Sequence, residues 1–261
     1  MPIAAIYDIH GNLPALEAVL DEIEAEQVDR IVVGGDVIPG PMPRETLDRL
    51  LGLKARINFI RGNGEVAILQ QLNGQSVTSV PEAVRPIIEW TARQLELPHQ
   101  KVLPRWPATL QIESPSLGPI LFCHATPRNE NEIFTRDTPN DRLLPVFAGV
   151  DAAIVVCGHT HMQFDRYVGD VRIVNAGSVG MPFGRPGAYW LLLDASSPVG
   201  DSSRRAPTDI QFRRTEYDLE KAAARIRACS YPQAEQFATN NILNPPSEEQ
   251  MREVFRKSEI A

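Results

Sequence analysis

Short apolar runs closed by polar clusters alternate with stretches of helical period over the first sixty residues. Residues 2–7, Pro-Ile-Ala-Ala-Ile-Tyr, read as a buried strand that stops at Asp8. Asn12 then caps a helix running to about residue 27. Pro14 in its first turn costs no hydrogen bond, and Leu13, Leu16, Leu20 and Ile23 share one face. Residues 28–35 form a second strand leading into Gly34-Gly35-Asp36. Pro39, Pro41 and Pro43 force an irregular loop. A short helix over 44–53 and a third strand over 55–60 follow, the latter ending at Arg61-Gly62-Asn63-Gly64-Glu65. This β-α-β-α-β alternation predicts a parallel sheet covered on both faces.

Helical patterns over 65–72 and 81–95 come next, then a connector around Leu103-Pro104-Arg105-Trp106-Pro107. Strands return at 108–112 and 119–123, the second ending at His124. A helix over 141–148 precedes a buried strand over 152–157 that ends at Gly158-His159-Thr160-His161. Strands over 164–168, 171–174 and 188–193 follow, with Asn175-Ala176-Gly177-Ser178 between the last two. Residues 196–207 read as an exposed connection rich in Ser, Pro and Arg, and 210–215 as a final strand. From Asp218 the pattern is helical, and Ser247 with Gln250 forms a capping box for the last helix. The expected organisation is one catalytic domain over residues 1–217, with a helical extension over 218–261 packed on it.

Composition narrows the function classes. The chain has 261 residues, 43% of them hydrophobic, enough to bury a substantial core. A net charge of −7 disfavours a broad basic surface for duplex nucleic acid or anionic lipid. No apolar window of about 18 residues predicts a membrane span, and the N-terminus lacks a signal peptide's basic start. Cys123, Cys157 and Cys229 have no C-x-x-C spacing, so they read as free thiols of a cytoplasmic protein.

The strand ends carry the candidate chemistry. In an extended chain, residues two apart point to the same side, so Asp8 and His10 should converge just past the first strand. Ligands bind at such ends in open α/β sheets. Asp36, Asn63, His124, and the pair His159 and His161 each follow another apolar run. Of the 5 histidines in the chain, only His99 lies outside this pattern, and it is expected on the surface. The set of Asp8, His10, Asp36, Asn63, His124, His159 and His161 is too large for one ion and suits two divalent transition metals. One carboxylate can bridge ions about 3.5–4 Å apart, and such a pair lowers the pKa of bound water toward about 7.

In the order Asp-x-His, Gly-Asp, Gly-Asn, His and Gly-His-x-His, the chain resembles the calcineurin-like metallophosphoesterases. The resemblance spans about residues 3–178 and is strongest to the compact bacterial and archaeal single-domain branch. Its motifs read here Asp8-Ile9-His10-Gly11-Asn12, the Gly-Asp-Val segment from Gly35 to Pro41, His124-Ala125-Thr126-Pro127, Gly158-His159-Thr160-His161 and Asn175-Ala176-Gly177-Ser178-Val179-Gly180. It implies an α/β fold of two facing sheets flanked by helices, with hydrolysis of a small phosphate ester. It also implies that Asp8, His10 and His161 hold one metal, that Asn63, His124 and His159 hold the other, and that Asp36 bridges them. Asp36, Asn63 and His124 would then be central to catalysis. Mn²⁺ leads the expected metals, with Fe, Ni²⁺ and Zn²⁺ as alternatives.

The chain departs from the family at Gly64. Many members carry there a histidine thought to protonate the leaving group, help worth about 10²–10⁴-fold. Its replacement by glycine is expected to open space beside the second metal and to favour diesters, with nucleotide-like or cyclic nucleotide substrates foremost. Glu65 is either a substitute acid or a surface residue at a helix start. Asn12 either reaches the phosphate or only caps its helix. Arg128 and Arg185 are candidate phosphate clamps, as, more weakly, is Arg61; solvated loop arginines are the alternative. Trp90 and Trp106 either pack in the insert or stack a base. Other readings are a protein-interaction scaffold that has lost catalysis, as in a retromer subunit resembling this family, and a phosphomonoesterase or dinucleoside polyphosphate hydrolase.

Overall fold

The computed structural model describes residues 2–53, 56–78, 80–114, 117–193 and 210–260. The first sheet holds β1 (Ile3–Ile6), β2 (Arg30–Val33) and β3 (Ile57–Phe59), with α1 (Leu13–Ala25) and α2 (Pro43–Leu51) as crossovers. These three strands are parallel, as the alternation predicts. Beyond β1 the sheet continues antiparallel through β9 (Ala188–Leu193) and β10 (Ile210–Thr215), giving the order β10-β9-β1-β2-β3.

Helices α3 (Asn63–Leu72), α4 (Arg85–Gln94) and α5 (Leu97–Val102) lead to the second sheet. It contains β4 (Thr109–Ser114), β5 (Gly118–Cys123), β6 (Ile154–Cys157), β7 (Phe164–Val168) and β8 (Val171–Asn175), in the order β4-β5-β6-β8-β7. Its inner strands β5, β6 and β8 are parallel, and its edges β4 and β7 are antiparallel. α6 (Asn140–Phe147) lies between β5 and β6 in the chain.

Alternation along β1 shows how the layers are made. Ile3, Ala5 and Tyr7 point into a core with Phe122, Val156, Val174 and Leu191, which seals sheet against sheet. Ala4 and Ile6 point the other way, into the core under α1, α2, α3 and α4. A third cluster, with Val155, Ile173, Leu143 and Phe147, packs α6 on the outer face of the second sheet. The first sheet is therefore covered by helices on one face and by the second sheet on the other. All-parallel sheets need helices on both faces, whereas the antiparallel strands here allow sheet-on-sheet contact.

The chain after Asp218 joins the same core. α7 (Leu219–Arg227) buries Ala222, Ala223 and Ile226. α8 (Ala234–Phe237) runs directly into a π-helical segment, Ala238–Leu243, and Phe237, Ala238 and Ile242 are buried there too. α9 (Glu248–Phe255) starts with the expected capping box, Ser247 Oγ accepting from the Gln250 amide at 3.2 Å.

Several local expectations change. α5 falls between the expected helix over 81–95 and the connector around Leu103, and Pro98 sits in its first turn. His99 is buried, not exposed: Nε2 bonds Asp48 at 2.8 Å and Nδ1 accepts from the Glu96 amide at 3.2 Å. Trp106 is buried and stacked on Phe59 at 4.5 Å, and Trp90 stands edge-on to Tyr231 at 5.3 Å, so both pack in the fold. The connection over 196–207 lies outside the described residues.

Tyr7 links the two sheets with the fully buried bond from its hydroxyl to the Val156 carbonyl, 3.0 Å. Tyr7→Phe should cost about 1–2 kcal/mol. Urea denaturation should show a lower midpoint with an unchanged slope.

Candidate metal centre

The parallel strands of both sheets end at one place. Asp8 and His10 follow β1, Asp36 follows β2, and Asn63 starts α3 after β3. His124 follows β5, and His159 and His161 follow β6. Main-chain bonds tie these loops together. The amides of Asp8 and His10 donate to the carbonyls of Gly35 and Asp36 at 3.1 and 2.9 Å, and the Gly158 amide donates to His124 at 2.8 Å. Across the sheets, the His159 amide donates to Asp8 Oδ2 at 2.8 Å.

Convergence arises differently from the expected strand alternation. Asp8, His10, Asp36, His159 and His161 have φ of 53, 48, 50, 66 and 57°, all left-handed. Each such residue costs about 1–3 kcal/mol and clusters of them mark functional sites. The chain thus leaves β1, β2 and β6 by an abrupt turn, and these five side chains are aimed by those turns rather than by the pleat. At Gly158 the approach is so close that any Cβ would strike Asp8 Oδ2 and the Tyr7 ring.

The ring nitrogens are sorted by their partners. Nδ1 of His10, His124 and His161 faces the carbonyls of Pro39, Gly34 and Met181 at 3.3, 3.0 and 2.8 Å. A carbonyl only accepts, so each Nδ1 carries hydrogen and each Nε2 is the inward atom. These Nε2 atoms surround Asp8 Oδ1, with His161 at 3.4 Å and His10 and His124 at 3.9 Å. Asp36 spans the cluster as well, with Oδ2 3.8 Å from His10 Nε2 and Oδ1 3.6 Å from His124 Nε2. Asn63 Oδ1 lies 2.9 Å from His124 Nε2, and the His159 ring stands edge-on to His124 at 5.1 Å.

Two groups have metal-holding proximity: Asp8, His10 and His161, and Asp8, Asp36 and His124. Asp8 thus belongs to both, while Asp36 reaches toward both histidines. The donor set fits divalent ions on one further observation: Asp8 is fully buried, yet Oδ1 has no hydrogen-bond partner. A buried carboxylate oxygen without a donor is costly unless a cation meets it.

Electrostatics follow the same arrangement. Burial would raise the Asp8 carboxyl, but the charges of His161, His124 and His10 outweigh it and hold the group below its usual range. Burial lowers His10, and burial with the neighbouring His124 takes His159 down to about 4. Burial also opposes charge on His124 and His161; for His124 the carboxylates of Asp36 and Asp8, and for His161 that of Asp8, prevail and raise both. His161 Nε2 lies 3.2 Å from His10 Nε2.

Glu65 was expected either as an acid or at the surface; it is fully buried. Its oxygens accept from the amides of Gly62, Asp36 and Ile38 at 2.7, 2.8 and 3.2 Å. Burial and the Asp36 charge push its carboxyl up to about 7 against the pull of those amides. Its place is to clamp the two loops that carry Asp36 and Asn63. Gly64 also differs from expectation. Its amide donates to Asp36 Oδ1 at 2.7 Å, and a Cβ there would strike the Ile38 carbonyl and the Pro39 ring. No space opens at this position.

The other substrate candidates are committed elsewhere. Asn12 is buried, capping α1 through Ala15 at 3.3 Å and donating to the Gly180 carbonyl at 3.0 Å. Arg128 lines a small notch beside His124, but its guanidinium grips Glu132 at 2.7 and 2.9 Å. Arg185 is exposed and paired with Glu216 at 2.9 Å, in a cleft with Arg214 and Tyr217 that contains no cluster residue. Asn175 and Ser178 brace the site from behind, Asn175 donating to the Gly158 carbonyl at 2.6 Å and Ser178 to that of Asp8 at 2.8 Å.

Two neighbours were missed in the sequence. Phe183 stacks on the His161 ring at 5.4 Å and is backed by Phe255 of α9. A cavity of about 330 Å³ opens beside His10, walled by Met181 and by Tyr231, Gln233, Phe237 and Asn241 of the C-terminal segment. Only the position of Phe183 in a Gly/Pro-rich loop after Ser178 hinted at either. A larger hollow of about 430 Å³, lined by Leu20, Ile23, Gln27 and Arg49, holds no cluster residue.

Two outcomes are expected. Glu65→Gln turns an NH₂ against main-chain donors and should cost about 1–3 kcal/mol, read by thermal melting alongside a fall in bound metal by mass spectrometry. The raised His124 and His161 hold protons that a metal must displace. Apparent affinity for Mn²⁺ should therefore rise as pH passes up through and beyond the ordinary histidine range, with proton release seen by calorimetry in buffers of differing ionisation heat. A flat profile would contradict those protonation states.

Comparison with known proteins agrees with this geometry. Residues 1–197 match the model of the calcineurin-like phosphoesterase superfamily domain. An uncharacterized protein of Methanocaldococcus jannaschii is 28% identical over 240 residues, 86% of this chain and 91% of that protein. Phosphodiesterase YfcE of Escherichia coli is 26% identical over 195 residues, 71% of this chain and 83% of its own length. A metallophosphoesterase from Sphaerobacter thermophilus superposes with a TM-score of 0.68 at 25% identity, covering 92% of this chain and 97% of its own. A hypothetical protein from Pyrococcus horikoshii shares the fold, with a TM-score of 0.75 at 20% identity over 94% of this chain and 99% of its own. With the matched model covering most of its length, this chain belongs to the calcineurin-like phosphoesterase superfamily and is a metal-dependent phosphoesterase.

Proposed function

We propose that the chain hydrolyses phosphodiesters with two divalent metal ions, Mn²⁺ foremost. The observation that carries this reading is the buried Asp8 Oδ1, partnerless and ringed by the Nε2 atoms of His10, His124 and His161. Asp8, His10 and His161 would hold one ion and Asn63, His124 and His159 the other, with Asp36 between them. Such ions supply a hydroxide at neutral pH and neutralise phosphoryl oxygens.

The chain's own residues orient and exclude. Carbonyls of Pro39, Gly34 and Met181 fix three imidazoles by Nδ1, which keeps each Nε2 lone pair directed inward once its proton leaves. The Gly64 amide orients Asp36 through Oδ1. His159, lowered to about 4, is neutral and ready to ligate at physiological pH. Residues 218–261 read as an extension of the catalytic domain. The free cysteines, two of them buried, support residence in the cytoplasm.

Two features support diesters over monoesters. Position 64 carries no imidazole and Glu65 spends its oxygens on main-chain amides, so neither residue is placed to protonate a poor leaving group. Among the described residues, the cavity beside His10 also has no Arg or Lys lining it to meet a second phosphate charge. The kinship with a protein named a phosphodiesterase points the same way.

Metal-stripped protein reloaded with Mn²⁺ should cleave a bis-aryl phosphate faster than the aryl monoester. Equal or reversed rates would remove the diester preference, and no turnover at full occupancy would remove the reading. Asp36→Asn keeps the acceptor for Gly64 but loses a charge, so kcat should fall on the order of 10²–10³-fold. Metal content should drop with it, and retained full occupancy would contradict the bridging role. Gly64→His is not a useful test, since the Ile38 carbonyl and Pro39 ring fill the space its side chain needs.

A further inference from the structure

The cavity beside His10 is built largely by residues beyond the matched catalytic model, which ends at residue 197. Its volume of about 330 Å³ suits a small organic group rather than a water or a lone ion. Its apolar wall comes from Val84, Ile87, Met181 and Phe237. Gln233, Gln236, Asn240 and Asn241 line it as well, and none of these four carboxamides makes a hydrogen bond to a described side chain or main-chain group. Among the described residues, no Lys, Arg, Asp or Glu lines it.

The backbone that presents these amides is unusual and firmly held. Asn240 and Asn241 sit in the π-helical segment Ala238–Leu243, whose end is marked by the Asn244 amide donating to the Thr239 carbonyl at 2.8 Å. Ala238 and Ile242, fully buried, anchor that segment to the core. Isolated π turns cost helical regularity and occur frequently at functional sites. Tyr231 fixes the opposite wall, edge-on to both Trp90 and Phe237 at 5.3 and 6.0 Å.

We infer that this cavity binds the organic alcohol portion of the substrate and that this portion is a nucleoside. The inference rests on the phosphoesterase reading of the neighbouring cluster. With a phosphoryl group at the cluster, its ester substituent extends into the space that adjoins His10. An additional phosphate or carboxylate there would be partly desolvated with no cation to pair it, which disfavours a polyphosphate chain. The lining asks for a flat apolar face together with an edge of mixed donors and acceptors. Nucleobases have both, and Asn or Gln carboxamides read such edges by paired bonds. A simple aryl group would leave the amides unused, and a glycerol-type alcohol would leave the apolar wall uncovered.

The test separates pocket from chemistry. Adenosine, guanosine, cytidine and uridine are titrated into metal-free full-length protein by calorimetry. The same four are then added as competitors during bis-aryl phosphate hydrolysis by the Mn²⁺-loaded protein. At least one nucleoside should bind without metal and inhibit competitively. The double variant Gln233→Leu/Asn241→Leu should weaken that binding by roughly tenfold or more. It should also lower the ratio of kcat/KM for a nucleotide aryl diester over the bis-aryl phosphate. Gln236→Leu/Asn240→Leu, at exposed positions, provides a second pair whose folding is checked by melting. Aryl ester hydrolysis without nucleoside binding or competition would overturn the pocket and leave the phosphoesterase standing. Nucleoside binding without hydrolysis of any ester would do the reverse. Unchanged affinity in both folded variants would also overturn the pocket, as would stronger competition by glycerol phosphodiesters than by nucleosides.

Discussion

A single buried carboxylate sets the terms for this molecule. Asp8 has no exposed surface, and one of its oxygens meets only imidazole nitrogens at 3.4–3.9 Å. Without a metal, the carboxylates raise His124 and His161, the direction that favours a compensating charge. That arrangement is electrostatically serviceable but geometrically poor, because Oδ1 finds no hydrogen bond of ordinary length. Cations at the same place would satisfy Oδ1 and free the imidazole lone pairs together. Fold and metal are thus coupled through one atom.

Holding that atom requires strain, and the strain is carried by the loops. Five ligand-type residues adopt left-handed backbone, a conformation that side chains with a Cβ resist. Three devices keep them there. Sheet-like bonds run past the strand ends, from Asp8 to Gly35 and from His10 to Asp36. Glu65 gathers three amides from two separate loops. Asn175 and Ser178, from the far side, hold the carbonyls of Gly158 and Asp8. The first two belong to the first sheet and its helix; of the last, the Asn175 bond stays within the second sheet and the Ser178 bond crosses to Asp8 after β1, so the site exists only when both sheets are packed.

Much of this was legible from residue order. Strand runs end in polar residues because the parallel strands of both layers deliver their C-terminal ends to one rim, and chemistry-bearing residues there are conspicuous against apolar neighbours. The cluster of Asp8, His10, Asp36, His124 and His161 follows from that contrast, whereas the two facing sheets followed from the family resemblance. What escaped was tertiary. Glu65 looks like any acidic residue in a first helical turn, and only burial against two loops reveals its three amides. His99 looked isolated because Asp48, its partner, is 51 residues away. Gly64 looked like an opening because a missing side chain suggests room, whereas the Ile38 carbonyl and Pro39 ring already occupy it. Asp8 and His10 were paired by strand periodicity, although the pleat ends before them and left-handed turns take over.

The same contrast explains where selectivity resides. The loops of the candidate metal centre have little freedom to vary, since each side chain is fixed by a carbonyl, an amide or a buried neighbour. Gly64 is packed shut against the Ile38 carbonyl and the Pro39 ring. Selectivity must then come from surfaces that reach the cluster without supporting it. The segment after Asp218 meets that requirement on two sides: Phe255 backs Phe183 against His161, and the carboxamides around Asn241 face the cavity at His10. Its buried face, through Ala223, Ile226 and Ile242, belongs to the common core, while its polar face lines the cavity. A helix with that division can change its exposed amides without disturbing either the core or the candidate metal ligands, and on the proposed reading substrate choice and metal chemistry would be carried by different parts of the chain.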